Sequence, residues 1–258
     1  MQKKWLLAFI LLWPVAATVL SFLVKANTLV STLLFFGVPA LYLSYYNPKC
    51  IRMVTQFSLI FSIPFAIILD YVMEITKGWY IASSVFDPYR IFGVVTIEQL
   101  IWLFLYVFLV LMFYEVFLEK KCAGKLAFPR MKYLIAALFI FWGMFVVLHL
   151  TNHELLQIDY FYLKFGTILG LVPVLIALSL FPDLYGTLFV TAAYFFYLSF
   201  LYEITALSLG QWSFPAKGQF IGFLTLGGIT FPFEEFFFWI LLGAMAVLSY
   251  YRFFGETH

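Results

Sequence analysis

The chain has 258 residues, 65% of them hydrophobic and 11% charged, with a formal net charge of +2. Its mean hydropathy of +1.01 is more than a soluble domain can hide, which makes it an integral membrane protein. There is no basic stripe for nucleic acid, no ligand spacing among two cysteines and three histidines, and no nucleotide-binding glycine motif, so metal and nucleotide chemistry have no visible site.

The start, "MQKKWLLAFILLWPVAATVL", has the basic end of a signal peptide in Lys3 and Lys4. Its apolar run reaches a full bilayer span, so a retained first helix is expected. Runs near the ~20 residues a bilayer requires then place eight spans at roughly 5–24, 28–46, 54–75, 94–118, 132–150, 161–180, 186–207 and 229–250. With the N-terminus cytoplasmic, the inner side collects Lys3, Lys4, Lys49, Arg52, Lys120, Lys121, Lys125, Arg130, Lys132 and Arg252. The outer side keeps Lys25, Lys77, Arg90, Lys164 and Lys217. Ten against five satisfies the positive-inside rule and puts both termini in the cytoplasm. Cys50 and Cys122 then lie on the reducing side, and no disulfide is expected.

A basic linker, 120–132, divides the chain into a first half, 1–119, and a second, 133–258, which resemble each other. "ILDYVMEITKGWYIASSVFDPYRIFGVVTIEQLIWLF" aligns with "FLYEITALSLGQWSFPAKGQFIGFLTLGGITFPFEEFFFW". Trp79 and Trp212 are 133 residues apart, and Asp70 and Glu203 each precede their tryptophan by nine. Glu98 and Glu234 are 136 apart, which requires a three-residue insertion in the second loop. The expected architecture is an all-α polytopic bundle of about eight transmembrane helices in two parallel four-helix repeats.

That parity gathers acids at one depth. Asp70, Glu74, His149 and Glu203 fall near the outer ends of odd spans, while Glu98, Glu234 and Glu235 open even spans. Ionisable groups inside a membrane are functional candidates by default. The plainer alternative is that first-turn carboxylates cap orphan N–H groups, with Thr230 as an N-cap, and that the tryptophans are interfacial anchors. Glu74, His149 and Glu115 read as structural. Neighbours in sequence point ~100° apart on a helix, so Glu234 and Glu235 cannot both face one atom. Glu234 is expected to face the bundle axis opposite Glu98, and Glu235 to hold a neighbour or the backbone.

These residues resemble the membrane-integral lycopene cyclase family, whose members are heterodimers of two short homologous subunits or fusions of the two. The shared signature is Pro-x-Glu-Glu/Asp opening a hydrophobic helix after a tryptophan loop. Pro232, Glu234 and Glu235 match it, whereas Thr96 and Gln99 depart from it around a retained Glu98. The resemblance implies a cofactor-free isomerisation: protonation of a terminal double bond of lycopene, ring closure through a carbocation, and loss of a ring proton to give a β-ionone end. It casts Glu234 as proton donor, Glu98 as its partner or the acceptor, and Glu235, Asp70 and Glu203 as supporting groups. Trp79, Trp212 and Pro232 belong to the site. Rings of Phe231, Phe233, Phe236, Phe237, Trp239 and Trp102 would stabilise the cation without quenching it. The implied partners are a polyene entering sideways from the bilayer, membrane lipid and other carotenoid enzymes. Another isoprenoid or lipid enzyme, a proton-coupled transporter and a scaffold stand as alternatives.

Overall fold

The structure, a computed structural model, describes residues 2–119 and 128–255; Lys120, Lys121, Cys122, Lys125 and His258 lie outside the described residues. It is mostly helical. Seven helices are long and apolar enough to cross a bilayer: Lys4–Leu23, Thr28–Tyr46, Pro48–Ile75, Ile97–Glu119, Pro129–Thr151, Phe161–Leu180 and Pro182–Ser208, the first to seventh spans below. An eighth is added if Glu235–Leu241 and Gly243–Gly255, bent by 51° to each other, count as one span. Hydrocarbon offers no partner to backbone N–H or C=O, so apolar runs of this length close their hydrogen bonds internally as helices. Exposed Leu23, Leu41, Phe139 and Leu150 suit a surface turned to lipid.

The order of elements in residues 28–119 recurs in residues 161–255. In the second span a wide π turn, Leu33–Gly37, precedes Val38 and Pro39; in the sixth, Gly166–Leu171 precedes Val172 and Pro173. Proline lacks an N–H and crowds the preceding turn, and a widened turn absorbs that conflict. Both helices end at residues of nearly equal backbone angles, Asn47 (φ −133°, ψ 73°) and Phe181 (φ −128°, ψ 74°). A single 3-10 turn, opened by Pro48 or Pro182, then leads into the next span. Wide turns also close the fourth span, at Tyr114–Glu119, and the chain's last helix, at Tyr251–Gly255.

The two halves touch through matching residues. Tyr80 N donates to Ser213 O at 2.9 Å, and Ser213 N donates to Tyr80 O at 3.1 Å. These residues directly follow Trp79 and Trp212. Such reciprocal antiparallel bonding between equivalent positions is what a local two-fold axis between the halves produces.

One element departs from an all-helical chain. Phe223–Leu226 (β1) and Ile229–Pro232 (β2) form an antiparallel hairpin. Its turn is Gly227 and Gly228, at φ 57° and 85°; positive φ at both turn residues is the hairpin geometry glycine best supplies. Thr230 is therefore a strand residue paired with Thr225, not an N-cap. Pro232 ends β2 opposite Phe223 instead of opening the helix. The last helical segment consequently starts some residues later than its apolar run.

Candidate functional site

The third and seventh spans end alike. Each finishes with a residue in the left-handed region, Lys77 (φ 57°) or Gly210 (φ 66°). The next residue's N–H reaches back: Gly78 N to Met73 O at 2.8 Å, Gln211 N to Ala206 O at 3.0 Å. This cap reverses the chain and returns a tryptophan to the acid nine residues earlier. Trp79 Nε1 donates to Asp70 Oδ1 at 2.7 Å, and Trp212 Nε1 donates to Glu203 Oε1 at 3.0 Å. Both acids are almost fully buried, so each indole N–H satisfies a carboxyl oxygen that water cannot reach.

Glu98 and Glu234 have turned to their loops. Glu98 accepts from Val85 N and from Ser84 Oγ, the latter at 2.7 Å to Oε2. Glu234 accepts from Ile221 N at 2.7 Å. In each half the bond spans thirteen residues, fastening the outgoing loop to the start of the helix that follows. The expected confrontation of Glu234 with Glu98 across the bundle axis is thus corrected: neither lines the cavity between the halves.

That cavity, about 150 Å³, is walled by residues of both halves. Its polar groups are Glu203, Glu235 and Gln99, beneath Trp79 and Trp212. Glu203 and Glu235 are both buried and both line it. Tyr162 also lines the cavity, and Glu235 Oε2, like Glu234 Oε2 outside it, has no hydrogen-bond partner among the described residues. Opposite them, Gln99 Nε2 donates to Asp70 Oδ1 at 3.0 Å. Asp70 itself sits behind Gln99 and Trp79 and does not line the cavity.

The rings follow from helical spacing. Glu235, Phe238 and Trp239 share one face, and Gln99, Trp102 and Leu103 repeat the same offsets in the first half. Trp102 and Trp239 lie 4.4 Å apart between ring centroids, and Tyr106 lies 4.1 Å from Trp239. Phe233 and Phe237 are on another face, stacked on each other at 5.8 Å. They and Phe231, Phe236 and Pro232 do not line the cavity. The sixth span supplies groups that motif reading passed over: Tyr162, Phe165, Gly166 and Gly170. Gly166 is required for space, since a Cβ there would lie 2.3 Å from the Phe238 ring.

Glu74, His149 and Glu115 each have a partner within the protein. Glu74 accepts from Ile81 N at 3.0 Å, His149 Nδ1 meets the Tyr71 hydroxyl at 2.9 Å, and Tyr251 donates to Glu115 at 2.6 Å. Arg90 braces the first loop, bonding Asp87 Oδ1 at 3.0 Å and Ile81 O at 3.2 Å. Its guanidinium holds the exposed Asp87 carboxyl below the ordinary aspartate range.

Chemically, the arrangement is a largely aromatic-walled cavity with two carboxyls and an amide in its lining. Set against models of known protein families, characterised proteins and solved structures, the chain gives no match.

Proposed function

We propose that this protein is a cofactor-free lycopene cyclase, an isomerase that closes the open ends of lycopene into β-ionone rings in carotenoid biosynthesis. The observation that carries the reading is that two buried carboxyls, Glu203 and Glu235, line one cavity walled largely by aromatic rings. Burying two negative charges side by side is unfavourable, so such a pair holds one proton between them. Glu235, the one of the three acids with an unpartnered buried oxygen that also lines the cavity, is assigned as donor to the terminal double bond. Ring closure moves the positive charge onto the new ring, where the faces of Trp102, Tyr106 and Trp239 stabilise it and exclude water. Glu203 then takes the ring proton, and once the product has left, the carboxyls exchange it with solvent and regain the starting state with the proton on Glu235. One proton enters and one leaves, so the reaction needs no redox partner.

This reading moves the acid role from Glu234 to its neighbour and the base role from Glu98 to Glu203. The Lys and Arg distribution supports an orientation with both termini cytoplasmic and the cavity toward the outer leaflet, in what we take to be the cell membrane. Substrate enters from the bilayer. The test is expression in a host that accumulates lycopene, followed by pigment analysis. Ring-bearing products are expected; unchanged lycopene beside well-inserted protein would overturn the proposal.

A further inference from the structure

We infer that the protein carries a second binding site, for the phosphate headgroup of an anionic phospholipid, at the other end of the bundle from the cavity. Three chain segments meet there: the start of the fifth span, the end of the sixth and the end of the last helix. They border an open hollow lined by Arg130, Tyr133, Phe181, Phe253 and Phe254. Arg130 stands in the first turn of the helix Phe128–Thr151, where the helix N-terminus also favours an anion. A second cation lies beside the hollow: Arg252 Cζ is 5.9 Å from the Phe181 ring centroid, and Arg252 Nη2 reaches Asp183 Oδ2 at 3.3 Å. Asp183 is largely exposed, and an ion pair with so exposed an acid is weak, so it aligns the guanidinium without cancelling its charge. A third cation, Lys132, lies 5.1 Å from the centroid of the Tyr133 ring.

The repeat shows that the fold does not demand these residues. At the 136-residue offset that relates Glu98 to Glu234, Arg252 corresponds to Val116 and Phe254 to Leu118. Pro39 and Pro173 are 134 apart, and at that offset Phe181 corresponds to Asn47. The cation over a ring therefore belongs to the second half alone. Its depth suits a lipid, since Phe181 directly follows the span Phe161–Leu180. Lys49, Arg52, Arg130, Lys132 and Arg252 all gather at this end, and basic pockets between spans on such a face take acidic headgroups. The acyl chains then lie against exposed side chains of the sixth span, among them Ile176 and Leu180. Free phosphate would meet the same cations and leave three phenylalanine rings unused, which marks lipid as the ligand.

The site stands apart from the cyclase reading, and its test measures no pigment. Full-length protein in zwitterionic detergent is titrated with phosphatidylglycerol, phosphatidylcholine or inorganic phosphate while thermal unfolding is followed. Phosphatidylglycerol should raise the unfolding temperature and saturate, as a ligand of the folded state does; the other two should not. Arg130→Gln, at an exposed position, should unfold normally without lipid and require about fivefold more phosphatidylglycerol, the factor one basic residue contributes at an anionic surface. Lys25→Gln, exposed at the opposite end, should respond as the wild type does. Equal responses to the two lipids, or a wild-type response from Arg130→Gln, would overturn the site. Inorganic phosphate reproducing the full shift would overturn lipid as its ligand.

Discussion

Glu235→Gln separates the catalytic acid from its neighbour most sharply. The substitution keeps the shape of the side chain and removes the proton. General acids contribute about 10²–10⁴ in rate, or roughly 3–5 kcal/mol of barrier, so ring formation should fall by that factor. Stability should not fall with it. Glu235 Oε2 accepts no hydrogen bond among the described residues, and as the proton donor Glu235 is already neutral, so the amide replaces an uncharged group of the same shape. Glu234→Ala should do the reverse. It removes the carboxylate that accepts Ile221 N–H at 2.7 Å, a bond to a charged group worth about 1.5–3 kcal/mol, while the folded fraction keeps its activity. The assay pairs product analysis per folded protein with thermal unfolding in detergent. An active Glu235→Gln protein beside an inactive but normally stable Glu234→Ala protein would refute the assignment.

Gly166→Ala should displace the Phe238 ring, only 2.3 Å from the new Cβ, costing about 1–3 kcal/mol as overpacking does and lowering ring formation. Gly170→Ala, with nothing within 4 Å, should leave unfolding unchanged; equal effects of the two in thermal unfolding would contradict this packing. The Asp87–Arg90 brace should show its own pH dependence. Asp87 is held below its ordinary range by Arg90, so its contribution is complete above the unfolded aspartate value and disappears as pH falls through the lowered one. The gap in unfolding temperature between wild type and Asp87→Asn should therefore close at acid pH; a gap constant down to strong acid would count against the brace.

Much of the fold is written in simple signals. The span count and the Asp70–Trp79 and Glu203–Trp212 spacings follow from hydropathy and from the alignment of the halves, because both are local or repeated patterns. The hairpin was less visible, since Phe223–Leu226 and Ile229–Pro232 are apolar enough to merge with the following helix. Gly227 and Gly228 were its signature. Glu234 bonds Ile221 N while Glu235 lines the cavity, and which of the neighbours turns inward depends on where the helix begins. Once Pro232 ends a strand, Glu234 falls at the edge and caps the loop, and Glu235 turns into the cavity. The sixth span's contribution stayed hidden because Tyr162, Gly166 and Gly170 carry no charge and match ordinary lipid-facing composition. The offsets shared by Glu235, Phe238 and Trp239 with Gln99, Trp102 and Leu103 were present in the alignment and mark the cavity face.

The central claim is that two carboxyls and a set of rings suffice to cyclise a polyene. Its most direct test is purified protein in lipid vesicles given lycopene with no flavin, nucleotide or metal added, in ordinary and in heavy water. The account predicts a ringed product of unchanged mass in ordinary water, carrying solvent-derived deuterium in its ring in heavy water. Lycopene that remains open under these conditions, beside folded protein, would contradict it.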